Sequence, residues 1–316
     1  MSVFRVVFLG TPQFAVPALR ALLDDPHFSV VAVVTQPDRP AGRNLQLRAS
    51  PIKELALTHG LTVWTPENVN NPDFIEQLAD LHADTAVVVA YGQLMRQPFL
   101  DVFPLGVVNL HASLLPRWRG AAPIQRALMA GDTETGVALQ KLVLKLDAGE
   151  VLGTRRMPLT DDLDATVVHE RLAHMGPSLL QFEFMDYLRG NLVGLAQDEA
   201  AVTYARKIEK SEGEIQWSGR AREIFNVFRG LTLGPGSWTT LAGRKIKVFT
   251  MHLLESYDIE GHAPGEVLST EKNAIIVACG HGAVSIAEVQ AESRNRQSVT
   301  DFLRGHKLQP GERFGT

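Results

Sequence analysis

Short, nearly unbroken apolar runs punctuate the first half of this 316-residue chain and leave it few possible folds. Phe4–Leu9, Ser29–Thr35, Thr85–Ala90, Gly106–Leu110 and Thr135–Val143 are each about one strand long. Helical spacing marks Phe14–Leu23, Pro51–His59, Pro72–His82 and Ala122–Ala130 between them. A strand that is apolar on both sides of its pleat must be covered on both faces, and strands joined through helices pair in parallel. The expected fold is therefore α/β, with a doubly wound, mostly parallel, Rossmann-like sheet. Ligands of such sheets lie beyond the carboxyl ends of the strands, where the strand order reverses. Gly149–Met157 reads as a further strand and Thr166–Leu188 as a long closing helix.

After Gly190 the rhythm changes. Residues 190–207 are rich in Gly, Asn, Asp and Glu and read as a linker. Beyond them, Ser237–Leu241, Lys245–Leu253, Gly265–Leu268, Ala274–Ala278 and Val284–Val289 are short strands with Gly-rich breaks, and Ala221–Gly230 has helical spacing. Closely spaced short strands suggest a small barrel or sandwich. The expected division is 1–189, a linker at 190–207, and a β-rich domain at 208–316.

Composition excludes several classes. Apolar residues make up 45% and charged residues 21% of the chain, which rules out a disordered polymer. No apolar run approaches the roughly 20 residues of a membrane helix, and no basic leader precedes the first strand. Cys279 is the only cysteine, so neither an internal disulfide nor a cysteine metal cluster is possible. A cytoplasmic chain without membrane attachment is expected. The net charge of −4 lies wholly within residues 1–207, while residues 208–316 are neutral. That argues against coating nucleic acid by bulk charge, though not against local basic patches.

Gly10-Thr11-Pro12 follows the first strand but lacks the later glycines of a dinucleotide loop, and no acidic residue ends the second strand. A tight turn is the better reading, and a nicotinamide cofactor is disfavoured. Asn109 and His111 stand two residues apart at a strand end, so alternation turns both side chains to one side. An amide can hydrogen-bond a developing oxyanion, and an imidazole can carry a proton near neutral pH. Spacing alone leaves a simple strand-end cap equally open. Asp147 sits in the loop Leu146-Asp147-Ala148-Gly149-Glu150, either starting a turn or holding the imidazole in one tautomer. No His, Asp and Glu cluster has metal-ligand spacing, so no metal is expected.

These residues, with the run Ser113–Gln125, resemble the formyltransferases that use 10-formyltetrahydrofolate. Phe8–Ala15, Thr35–Arg43, Val88–Gly92 and Tyr204-Ala205 are similar to the branch of that family whose acceptor is methionyl-tRNA. Ala112 and Ala148 depart from the common Gly and Thr. The resemblance implies transfer of a formyl group from 10-formyltetrahydrofolate, a co-substrate, to the free α-amine of methionyl-initiator tRNA, with no obligate protein partner evident. Asn109, His111 and Asp147 would be catalytic, and Ser113, Leu114, Leu115 and Pro116 would lie against the folate. The long segment Gln36–Ala49, bearing Arg39, Arg43 and Arg48, would meet the tRNA acceptor end. The second domain would be an OB-like barrel assisting tRNA binding, with Lys207, Lys210, Arg244, Lys245 and Lys247 as candidate contacts. Arg117 and Arg119 suit either terminal phosphates or local carboxylates. Trp217 and Trp238 read as core residues. The alternative is a formyltransferase acting on an amino-sugar nucleotide or another small amine, which shares the Asn/His/Asp chemistry but not the Arg-bearing segment.

Overall fold

Apolar runs without a polar face demand cover on both sides, and the first half of the chain builds that cover. The computed structural model of the chain describes residues 3–41, 46–271 and 273–316. It divides into two compact units. The first comprises Met1–Pro123, Glu134–Pro158 and Val168–Ala205; the second comprises Ile124–Thr133, Leu159–Val167 and Arg206–Thr316.

The strands of the first unit are β1 (Phe4–Gly10), β2 (Phe28–Val34), β3 (Arg39–Ala41), β4 (Gln46–Arg48), β5 (Val63–Trp64), β6 (Thr85–Val89), β7 (Val107–His111), β8 (Arg119–Gly120), β9 (Glu134–Lys141), β10 (Val151–Pro158) and β11 (Tyr204–Ala205). The main sheet has the order β10-β9-β7-β6-β1-β2-β5. β7, β6, β1, β2 and β5 are parallel; β9 runs antiparallel to β7, and the edge strand β10 runs antiparallel to β9. Every residue of β6 is buried, as its unbroken Thr-Ala-Val-Val-Val sequence requires. The chain leaves β1 toward β2 and β5, then returns to β6 on the other side of β1. The strand order thus reverses at β1 and β6, and β7 ends next to that point. Proline opens the helices Pro51–Thr58 and Pro72–Ala79, and Ser50 and Asn71 cap them by accepting main-chain N–H bonds.

Three expectations change. Gln36–Ala49, read only as a long connecting segment, contains the antiparallel pair β3–β4, with Arg39 opposite Arg48. Residues 190–205, read as linker, belong to the first unit. Leu195 exchanges main-chain hydrogen bonds with Val151 (2.8 and 2.9 Å), and β11 pairs in parallel with β8. Polar composition made this stretch look solvated. Its backbone nevertheless offers the unpaired N–H and C=O groups of β10 and β8 their partners. Residues 124–133 and 159–167, expected in the first domain, group with the second.

The second unit holds β12 (Ser237–Leu241), β13 (Arg244–Leu254), β14 (Val267–Ser269), β15 (Ile275–Ala278), β16 (Ala283–Ala291) and β17 (Gln297–Ser298). Its antiparallel sheet has the order β12-β13-β16-β15-β14, with β17 on β16, and curls as a half-barrel. Ile246 and Val248 alternate with exposed Lys245, Lys247 and Phe249, so β13 is apolar inward and basic outward. Trp217, Phe225, Val277, Ile286, Phe302 and Phe314 fill the core beneath it. Among the described residues no helix is long and apolar enough to cross a membrane.

One buried ion pair fastens the start of this unit. Arg126 grips Glu212 with both guanidinium nitrogens (2.9 Å for Nη2 to Oε1) and donates to the carbonyls of Arg206 and Lys207 (3.1 Å each). The hydrogen bond from Arg126 holds the Glu212 carboxyl below its ordinary value. A carboxylate depressed in the folded state stabilises above its unfolded pKa, and that contribution is lost as pH falls through the folded value. Glu212→Gln should therefore cost about 1 kcal/mol near neutral pH, a low figure because solvent screens part of the pair. The gap in melting temperature between parent and variant should close below about pH 4. A gap that persists unchanged in acid would contradict the pairing.

Candidate active site

Asn109 and His111 share one face of β7, as alternation dictates. Antiparallel β9 then sets Gln140 directly opposite Asn109 and Ala138 opposite His111. Paired residues point to the same side, so Gln140 joins that face. A lone amide in the otherwise apolar run Val137-Ala138-Leu139-Gln140 was the sequence signal for it.

The β9–β10 connection brings Asp147 to this face. Its carboxylate is held from two directions: Gln140 Nε2 donates to Oδ1 at 2.9 Å, and the Gly120 main-chain N–H donates to Oδ2 at 2.8 Å. The same Oδ2 lies 3.7 Å from His111 Nδ1. On the other side of the ring, His111 Nε2 is 2.8 Å from the Trp118 carbonyl. A carbonyl oxygen can only accept, so Nε2 carries the proton and Nδ1 is the basic atom facing Asp147. The ring itself is buried.

This arrangement depends on unusual backbone. Asp147 (φ 47°) and Trp118 (φ 65°) occupy the left-handed region, which is uncommon for Asp and a clear outlier for Trp. Such conformations persist where surrounding contacts over-determine them, and they concentrate at functional sites. Two glycines allow the close approaches. Gly120 has φ 122° and faces the Ala205 carbonyl, while a Cβ on Gly149 would run into the Lys141 carbonyl. With both tight turns in place, the carboxylate reaches the imidazole.

The amide of Asn109 is partly exposed and makes no side-chain hydrogen bond to another described residue. Its N–H donors are therefore open to a ligand oxygen. Tyr91, beyond the end of β6, is buried, and burial pushes its phenol far above the ordinary value, so it stays protonated and supplies no base. Its carbonyl instead collects Thr11 Oγ1 and Gln36 Nε2 at 3.1 Å each, knitting the ends of β1, β2 and β6 together.

The other expected residues are dispersed. Ser113 is buried, and its hydroxyl donates to the Arg117 carbonyl at 2.7 Å, closing the turn that Leu114, Leu115 and Pro116 present half-exposed. Of the two open readings for Arg119, the structure takes the carboxylate: the side chain is buried and pairs with Glu199 at 2.9 Å. Arg117 is exposed and stacks over Trp118. Arg39 is exposed beside Glu67, Arg48 is exposed on β4, and Arg43 lies outside the described residues. Lys207, Lys210, Arg244, Lys245 and Lys247 are all exposed in the second unit. Trp217 is a core residue, bonded through Nε1 to Thr239 at 2.9 Å. Trp238 differs from expectation: it is half-buried, with the Lys245 ammonium 3.7 Å from its ring centre. Among the described residues no three His, Cys, Asp or Glu side chains converge as metal ligands.

Comparison with known proteins gives this geometry its context. The formyl transferase family matches residues 4–182, and the formyl transferase C-terminal domain matches residues 207–307. The methionyl-tRNA formyltransferase of Bdellovibrio bacteriovorus is 52% identical over 317 residues, covering 100% of both chains. That of Methylococcus capsulatus is 46% identical over 99% of this chain and 100% of its own. A sugar 3N-formyl transferase crystallised with dTDP and 5-N-formyl-THF shares the fold at a TM-score of 0.66, covering 93% of this chain and 100% of that one at 16% identity. HypX from Aquifex aeolicus in complex with tetrahydrofolic acid shares it at 0.61, covering 96% of this chain and 47% of that one at 17% identity. With two formyl transferase domains in order and end-to-end relatives at up to 52% identity, the chain belongs to the methionyl-tRNA formyltransferase family.

Proposed function

We infer that the chain transfers the formyl group of 10-formyltetrahydrofolate to the free α-amine of methionyl-initiator tRNA, giving N-formylmethionyl-tRNA and tetrahydrofolate. The observation that carries this reading is the convergence of Asn109, His111 and Asp147 on one face beside the sheet's switch point, in a chain that aligns end to end with enzymes of that name.

The amine attacks as its neutral form and must shed one proton as its bond to the formyl carbon forms, so a base has to take that proton. His111 Nδ1 carries no hydrogen and is the acceptor the site offers. The resulting imidazolium is stabilised on one side by the Trp118 carbonyl and on the other by the Asp147 carboxylate. As the new C–N bond forms, charge moves onto the formyl oxygen, where the Asn109 amide donates a hydrogen bond. The C–N10 bond then breaks, and the proton held at Nδ1 passes to N10 of the departing folate. The half-exposed turn at Leu114, Leu115 and Pro116, closed by Ser113, is the assigned wall of the folate site.

Acceptor binding is assigned to exposed cations. Arg39 and Arg48 on β3 and β4, with Arg43 between them in sequence, meet the acceptor end. Lys207, Lys210, Arg244, Lys245 and Lys247 follow the RNA backbone. The outward basic face of β13 supports this, because a stretch that sums to zero, as residues 208–316 do, gains local positive potential only where cations share one face.

The deciding assay measures formyl transfer from 10-formyltetrahydrofolate to methionyl-initiator tRNA, free methionine and an amino-sugar nucleotide. Transfer to the tRNA is expected; transfer to the sugar nucleotide alone would replace this reading. Asn109→Ala, His111→Ala and Asp147→Asn should each lower kcat by about 10²–10⁴-fold, the range for losing an oxyanion donor or a general base. Their melting temperatures should stay near the parent's, and near-parental turnover by the His111 variant would remove its assigned role.

Salt dependence tests the charges. Each neutralised phosphate contributes a slope of about −0.7 to −0.9 in log K against log salt. A total slope of about −2 to −5 is expected for tRNA, and replacing Lys245 and Lys247 with Ser should flatten it by about 1–2. An unchanged slope in that variant would show that β13 does not touch the RNA.

A further inference from the structure

The catalytic scheme leaves unused a buried charge in the first unit. Arg119 is 0% exposed. A buried guanidinium carries a heavy desolvation penalty unless its charge is paired and its donors are satisfied. Here Nε donates to Gln197 Oε1 at 3.0 Å and Nη2 to Glu199 Oε1 at 2.9 Å, while Nη1 has no hydrogen-bond partner among the described residues. An incompletely satisfied buried charge is a poor device for stability alone.

What Arg119 does achieve is to fix the orientation of one amide. Because Gln197 Oε1 accepts from Arg119, Gln197 Nε2 must face the other way. It donates to the Asp147 carbonyl at 2.8 Å and to the Gly149 carbonyl at 2.7 Å. Those carbonyls bracket the turn that carries Asp147 in its left-handed conformation. Glu199, the second acceptor of Arg119, receives Lys145 from the same connection at 2.6 Å. Arg119 also directly precedes Gly120, whose N–H orients the Asp147 carboxylate. Residues 197–199 therefore grip the β9–β10 connection from outside, and the buried arginine holds the grip in place.

We propose that Arg119 and Gln197 are positioning residues that hold Asp147 in its working place through the main chain, a role that rests on Asp147 acting in formyl transfer. Residues 197–199 are then part of the active site's frame and not a tether between domains. A displacement of the carboxylate by about 1 Å can cost on the order of 10²-fold in rate without any change in what the site binds.

Gln197→Glu separates the two halves of the interaction. A glutamate keeps an acceptor for Arg119 but offers no N–H to the carbonyls of Asp147 and Gly149. Formyl transfer to methionyl-initiator tRNA is measured for the parent, Asp147→Asn, Gln197→Glu and the double variant, with thermal melts of each. Gln197→Glu should lose about 10–100-fold in kcat, with both KM values within about twofold of the parent and a near-parental melting temperature. Added to Asp147→Asn, it should cost less than about twofold more, since residues that act through one group are not additive. Parental kcat in Gln197→Glu, or a full further loss in the double variant, would overturn the proposal. A parent that transfers no formyl group, or an Asp147→Asn variant with parental turnover, would instead overturn the reading beneath it and the proposal with it.

Discussion

The site depends on one carboxylate held in a conformation that its own backbone does not favour. Asp147 sits at φ 47°, and two N–H donors from different elements, Gln140 and Gly120, fix its oxygens. Everything chemical follows from that placement. The carboxylate faces Nδ1 of a buried imidazole whose Nε2 is already committed to the Trp118 carbonyl. A proton arriving at Nδ1 therefore meets a negative charge in a site shielded from water, where such an attraction is stronger than at the surface. The sheet supplies the rigid part, two side chains two residues apart on a strand. The turns supply the rest, fixed by hydrogen bonds.

The two units solve different problems. In the first, parallel strands buried on both faces leave only their carboxyl ends free for chemistry, and the strand reversal at β1 and β6 opens a place for a ligand there. In the second, the antiparallel sheet buries one face and leaves the other to water, so β13 can show Lys245, Lys247 and Phe249 outward while Ile246 and Val248 fill the core. Net charge says nothing of this. Residues 208–316 sum to zero, yet strand alternation gathers cations on one face.

Much of the architecture was legible in the sequence, because it rests on periodicity. The main strands appeared as apolar runs, and Phe4–Gly10, Thr85–Val89 and Ser237–Leu241 fall within a residue or so of where patterning put them. Asn109 and His111 were legible for the same reason: a two-residue spacing at a strand end has one geometric meaning. What patterning missed is held by polar contacts between distant residues. Residues 190–205 carry no periodic signal, yet Leu195 completes the edge of β10 and Gln197 reaches the Asp147 turn. Arg119 suited phosphate and local carboxylates equally well, because a charged residue beside Trp and Gly gives no sign that it will be buried. Its burial follows from Gln197 and Glu199, nearly eighty residues away, and no local rule joins them. The antiparallel direction of β9 was equally hidden, since an apolar run has no sense of direction. That direction is what brings Gln140 opposite Asn109.

In the proposed reaction His111 handles the proton at Nδ1, beneath Asp147, with Nε2 committed to the Trp118 carbonyl. Isotope-edited NMR of the His111 ring nitrogens, assigned by difference against His111→Gln, tests it directly. In the neutral ring Nε2 should carry the proton, donated to the Trp118 carbonyl, and Nδ1 should be bare. A neutral ring protonated at Nδ1 would contradict it.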